Sequence, residues 1–193
     1  MKTIFIATAN KHKRKEFQEM LEPLGYDVKC LLDLDEDIKI IEDGETFEEN
    51  AYKKAKAIYD ALHIDVISDD SGLCISAMDD GPGVYSARFL GETTSYVKKN
   101  TYILEEIENA QDRSAKFVCV ICHITKAGKV SYYRGECHGN IASAMVGEKG
   151  FGYDPIFYYP PYKTTLANVS EKEKNDVSHR GRAIQKLLLE LKS

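Results

Sequence analysis

Read for the spacing of its apolar side chains, the chain falls into short strands and amphipathic helices that alternate through its first third. Residues 3–8 (TIFIAT) form a β-branched run. After Asn10, a side chain suited to cap a helix, Phe17, Met20, Leu21 and Leu24 recur at helical spacing up to Gly25. YDVKCLL (26–32) predicts a second strand. Thr46 with Glu49 three residues on then makes a capping box ahead of Ala51, Ala55, Ile58 and Leu62. DVISDD (65–70) reads as a strand running into an acidic end, and SGLCISAM (71–78) continues extended to the breaker cluster DDGPG. Thr93 to Asn109 presents Val97, Leu104 and Ile107 on one helical face. SAKFVCVICHIT and KVSYYRGECHG predict a hairpin turning at Lys126-Ala127-Gly128, and Ser178 caps a last helix whose Ala183, Ile184, Leu187, Leu188 and Leu191 face the core. Helices interleaved with strands and a β-rich middle predict an α/β fold with a mixed sheet. Without repeats, linkers or low-complexity segments, residues 1–193 read as one continuous domain, with room for two lobes.

Composition narrows the class without choosing a function. The formal net charge is −5, against a general nucleic-acid-coating role. The apolar run near the N-terminus is too short for a signal segment or a membrane span, so a cytosolic protein with no membrane partner is expected. Five cysteines without an export signal predict free thiols. Cys119-Val120-Ile121-Cys122-His123 has the spacing of a c-type haem attachment, but it lies inside a Val/Ile-rich run that reads as a buried strand. The acidic run Asp33 to Asp37 fails as a calcium loop, because its sixth position is Ile38 and its twelfth Gly44.

Four groups of residues carry candidate chemistry. Adjacent carboxylates at Asp69 and Asp70, followed by Ser71-Gly72, are costly unless solvated or holding a cation, and oxygen donors suit Mg²⁺ or Mn²⁺ better than zinc. Glu42, in a second acidic cluster, either favours the positive end of the following helix or adds a carboxylate to that metal. Thr8, Ala9, Asn10, Lys11, His12 and Lys13 span a strand-to-helix turn whose donors favour an anion, although neither common Gly-rich nucleotide fingerprint occurs in the chain. Phe151 and Tyr153 stand among glycines ahead of Asp154-Pro155, where a backbone can approach a flat ligand and a ring can stack on it; a tight turn with core aromatics is the alternative. Ser178-His179-Arg180 adds donors suited to a purine edge or a phosphate; a Ser N-cap with an exposed His-Arg pair is the equal alternative. Phosphate donors, metal carboxylates, a stacking platform and a base-reading edge together make the inventory of a nucleoside triphosphate site.

At these residues the chain closely resembles the inosine triphosphate pyrophosphatase family. The likeness rests on ATANKHKRKEF, EDGETFEENAYKKA, SDDSGL, GPGVYSARF, GEKGFGYDPIF and EKEKNDVSHRGRA, which occur in family order over nearly the whole chain. It implies an elongated α/β fold, a mixed β-sheet flanked by helices, with two lobes and a central cleft. It also implies Mg²⁺-dependent conversion of XTP, ITP and dITP to the monophosphate and pyrophosphate, with Mn²⁺ as an alternative metal. Carried over by position, Thr8 to Lys13 grip the triphosphate, and Glu42 and Asp70 bind the metal with a share for Asp69. Asp70 is the proton acceptor, Lys53 reaches phosphate and Ser71 touches the substrate. Phe151, Gly152, Tyr153, Asp154, Lys174, His179 and Arg180 hold the base and its surroundings, and Arg88 contributes from the YSARF segment. The resemblance further implies a homodimer, and no stable nucleic-acid partner is expected.

Selectivity on this reading comes from the purine six position, where inosine and xanthine offer an acceptor and adenine a donor. Two rivals remain at this point: a Maf-like pyrophosphatase acting on modified pyrimidine nucleotides, against which the SDDSGL, FGYDPIF and SHR segments argue together, and a nucleotide-binding protein without catalysis.

Overall fold

The computed structural model describes residues 2–35 and 38–191; Glu36 and Asp37 of the acidic run lie outside them. In chain order the elements are β1 (Lys2–Ile6), α1 (Lys11–Leu21), β2 (Tyr26–Cys30), α2 (Phe47–Leu62), β3 (Val66–Ile75), β4 (Gly81–Pro82), α3 (Tyr96–Glu106), β5 (Ser114–Ile124), β6 (Val130–Ile141), β7 (Phe157–Tyr159), β8 (Thr164–Thr165), α4 (Glu171–Val177) and α5 (His179–Leu191). The strands join in the order β2-β1-β3-β5-β6-β7-β8, with β4 paired to β3. β1 runs parallel to β2 and β3, whereas β3–β4, β6–β7 and β7–β8 are antiparallel, which makes the sheet mixed as expected.

Local signals account for most boundaries. Asn10 caps α1 by accepting from the amides of His12 and Lys13. Thr46 Oγ1 accepts from the Glu49 amide, while the Glu49 carboxylate turns back to the amide of Glu45, one residue before the cap. Two elements depart from the expectation. β3 does not end at its acids but continues to Ile75, so Asp69 and Asp70 lie within a strand. Helix α4 is a separate element, closed at its start by a Ser170/Glu173 capping box.

The chain divides into two units. The first comprises Met1–Asp70, Cys119–Gly135 and Gly181–Ser193, and its core packs Ile4, Ile6, Val28 and Ile67 of the strands with Phe17 and Leu21 of α1 and Ala183, Ile184 and Leu187 of α5. The second comprises Ser71–Val118 and Glu136–Arg180, with a core of Leu73, Ile75, Ile103, Ile107, Phe117, Ile141, Ile156 and Phe157. All five cysteines are buried free thiols, and burial pushes the Cys122 thiol up to about 12. No helix of the described residues is long and apolar enough to cross a membrane.

Candidate functional site

The first unit gathers its acids around two lysines, and strand alternation decides which acid meets which. Successive side chains of a strand point to opposite faces. Ile67 belongs to the core built with α1, and Asp69, two residues on, pairs with Lys13 of α1 at 2.8 Å. Ser68 Oγ donates to the carbonyl of Ala51 in α2, and Asp70 turns to the same helix, 3.2 Å from the Lys54 ammonium. The same ammonium lies 2.8 Å from Glu42, while Lys13 stays on the α1 side with Asp69.

The pleat turns Asp69 toward Lys13 of α1 and Asp70 toward Lys54 of α2, within one cluster of charge. Lys53 is exposed and pairs with Asp43 at 2.5 Å, whereas its neighbour Lys54 is buried among the carboxylates. A signal for Lys54 was present in the sequence: Phe47, Asn50, Ala51, Lys54, Ala55 and Ile58 follow the three-and-four spacing of one helical face, and all are buried. Asn50, also unforeseen, donates to Asp70 Oδ2 at 3.4 Å.

Charge and burial oppose each other in this cluster. Burial raises the Asp70 carboxyl above the usual carboxylate range, against the pull of the Lys54 and Lys13 ammoniums. For Lys54, burial works against the charged form, but the carboxylates of Asp70, Asp69 and Glu42 outweigh it and hold the ammonium above the usual lysine value. Among the described residues no three His, Cys, Asp or Glu side chains are grouped to share a metal. Glu42 and Asp70 nevertheless converge on a single cationic atom, and a pair of hard carboxylate donors is what Mg²⁺ commonly takes from a protein that binds it with phosphates. The residues present therefore fit that ion. At the start of α1, Thr8 is buried and its Oγ1 accepts from the Asn10 amide, while Ala9, Asn10, Lys11 and His12 are exposed.

The second unit holds the aromatic group. Asp154, buried, pairs with Lys174 of α4 at 2.8 Å and accepts from the Phe151 amide at 2.9 Å, and the Lys174 ammonium lies 4.5 Å from the centre of the Phe151 ring. The turn is tight enough to demand glycine: Gly150 has φ +71°, and a Cβ there would come 2.3 Å from Asp154 Oδ2. From α3, Asn100 donates to the carbonyl of Gly152 at 3.1 Å. Tyr153 is buried and spent structurally, its hydroxyl donating to the Ser86 carbonyl at 2.6 Å. His179 stacks on Phe117 with centroids 4.8 Å apart, and buried Arg180 donates to Ser71 Oγ at 3.0 Å. Arg88 lies over the exposed Tyr85 ring instead, 4.9 Å from its centroid. Phe117 is a further contributor that motif reading did not single out.

With this geometry in view, comparison with known proteins is direct. The model of the Ham1 family matches residues 4–190. A dITP/XTP pyrophosphatase of Clostridium perfringens is 42% identical, covering 100% of this chain and 98% of that one, and a dITP/XTP pyrophosphatase of Desulfotalea psychrophila is 44% identical over 97% and 84%. The solved structure of the Staphylococcus aureus Ham1 protein superposes with a TM-score of 0.90 at 40% identity, covering 99% of this chain and 98% of that chain. A family model and full-length relatives agree with the motif series and with the fold that carries it, and this chain belongs to the Ham1 family.

Proposed function

We propose that this protein is a Mg²⁺-dependent nucleoside triphosphate pyrophosphohydrolase that converts dITP, ITP and XTP to the monophosphate and pyrophosphate, clearing non-standard purines from the nucleotide pool. The observation that carries the reading is the convergence of the Glu42 and Asp70 carboxylates on the buried Lys54. The relatives named above as dITP/XTP pyrophosphatases support the substrate class.

On this reading Glu42 and Asp70 would hold the metal, which when bound supplies positive charge against the oxygens of the triphosphate. Asp70 accepts the proton of the water that attacks the α-phosphorus as pyrophosphate leaves. Lys54 and Lys13 offset the charge that develops as pyrophosphate leaves, and Asp69 holds Lys13 in place. The start of α1, residues 8–13, receives phosphate, with two of its amides engaged by the Asn10 cap. In the second unit, Phe151 and the Asp154–Lys174 pair take the base, and His179 and Arg180 lie at its edge. A site lined by donors favours the O6 acceptor of hypoxanthine and xanthine over the amine of adenine, and a buried group left unpaired by the wrong base supports discrimination of about 10⁴-fold.

The proposal includes one pyrophosphatase domain over residues 1–193, a cytosolic location and a homodimer. The exposed apolar side chains of Tyr85, Leu90, Val97 and Tyr102 in the second unit support the dimer, and light scattering tests it. The test of activity is to incubate the protein and Mg²⁺ separately with dITP, ITP, XTP, GTP, ATP and a pyrimidine triphosphate and resolve the products. Monophosphate and pyrophosphate from the first three, little from ATP and weaker turnover of GTP are expected. Diphosphate and phosphate would overturn the mechanism, preference for a pyrimidine would favour the Maf-like alternative, and nucleotide binding without turnover would favour a binding protein.

A further inference from the structure

Glu42 sits on an exposed loop ahead of α2, whereas Asp70 belongs to a rigid strand, and two groups on such different supports need something to set their spacing. Besides Lys54, whose ammonium touches both carboxylates, a second buried side chain ties the loop to the strand. Asn50, 1% exposed on the inner face of α2, accepts from the Gly44 amide at 2.8 Å, donates to the Gly44 carbonyl at 3.4 Å and donates to Asp70 Oδ2 at 3.4 Å. Its carboxamide thus mimics a backbone pairing with the loop two residues after Glu42 while holding the carboxylate of Asp70. The loop is packed hard against this clamp: a Cβ at Gly44 would come 2.8 Å from both Asn50 Oδ1 and Glu49 Cβ. Only glycine lets the loop come this close, and only a side chain with an acceptor and a donor on one short stem serves both neighbours.

We infer that Asn50 is the positioning residue that fixes the Glu42 loop against Asp70 and so presets the pair of carboxylates for a divalent cation, with Gly44 as its steric counterpart. The inference rests on the reading of Glu42 and Asp70 as the metal-holding pair. Groups that orient metal-binding side chains are commonly worth 10- to 100-fold in metal affinity.

The experiment titrates Mn²⁺ alone into the protein, followed by electron paramagnetic resonance, for the wild type, Asn50→Ala, Gly44→Ala and the Glu42→Gln forms of each, with thermal melts run in parallel. Asn50→Ala and Gly44→Ala should each weaken Mn²⁺ binding about tenfold or more. Adding Glu42→Gln to either should cost much less than it does in the wild type, since a displaced loop no longer delivers that carboxylate. In turnover assays the Mg²⁺ activation constant should shift far more than the KM for dITP at saturating Mg²⁺, a split that general loosening of the fold would not produce. Mn²⁺ affinity at the wild-type level in Asn50→Ala, or full additivity with Glu42→Gln, overturns the inference. Should Asn50→Ala fail to fold, Gly44→Ala decides alone: wild-type affinity there overturns it and weakened affinity supports it. Metal-dependent turnover by the wild type together with unaltered variants defeats this inference and leaves the proposed activity standing. Absence of both metal binding and turnover in the wild type defeats the activity and the inference with it.

Discussion

Each of the two units buries a lysine against carboxylate, and on the proposed reading the difference between the two arrangements separates chemistry from recognition. In the second unit Asp154 pairs with Lys174 at 2.8 Å, with an aromatic face over the ammonium. In the first, three carboxylates, Glu42, Asp69 and Asp70, meet the ammoniums of Lys13 and Lys54. A single buried ion pair holds a surface in shape. Carboxylates gathered in a buried place favour a proton or a metal, and on the proposed reading that is where the base lies.

The contrast is broken most severely at Asp70. Asp70→Asn keeps the shape and removes the base, and turnover of dITP should fall about 10³-fold or more with the melting transition little changed. Wild-type turnover in that variant would move the base elsewhere. The next effect distinguishes two adjacent lysines: Lys54→Ala should cost about 10²-fold in kcat/KM, whereas Lys53→Ala, on an exposed pair, should stay within about threefold. Equal losses would return phosphate binding to Lys53.

The Asp154–Lys174 pair should respond differently. Lys174→Ala leaves Asp154 buried without its ammonium and should cost about 3 kcal/mol in urea unfolding, with preference for dITP over dATP falling about tenfold and metal affinity unmoved. A change in metal affinity there would dissolve the division of labour between the units. The smallest effect concerns His123 of β5, buried in the first unit and 3.7 Å from Asp65. Burial lowers its pKa below the ordinary value, so the folded chain binds fewer protons than the unfolded one below about pH 6.5. Its contribution to stability is therefore complete above that pH and is lost as pH falls through the folded pKa. Unfolding midpoints at pH 7.5 and 5.5 should differ less in His123→Phe than in the wild type, and equal differences would assign the acid sensitivity to other groups.

How much of this was legible depended on whether the decisive feature was local. The caps at Asn10 and Thr46 and the turn at Gly128 are short-range signals, and each sits where the sequence places it. Helix α4 was missed because seven residues, EKEKNDV, carry no apolar stripe, although its Ser170-x-x-Glu173 box was readable. The separation of Asp69 from Asp70 follows from the two-residue period of a strand, but reading the acids as the end of that strand hid it. A motif fixes a neighbourhood, Lys53 and Lys54 alike, while helical phase decides which of the two is buried. The parts that no local rule could supply are tertiary: Phe117 on β5 stacks with His179, and Asn50 reaches Asp70 twenty residues away.

One consequence follows from the Lys54 ammonium lying between Glu42 and Asp70. Two carboxylates brought together without a cation would repel, and a protein built that way would come apart when its metal was withdrawn, as small zinc domains do. Here the chain brings its own counter-ion, so the metal of the proposed reaction would enter a framework already assembled. Chelators should therefore silence such an enzyme without unfolding it, and restored metal should revive it with no refolding delay.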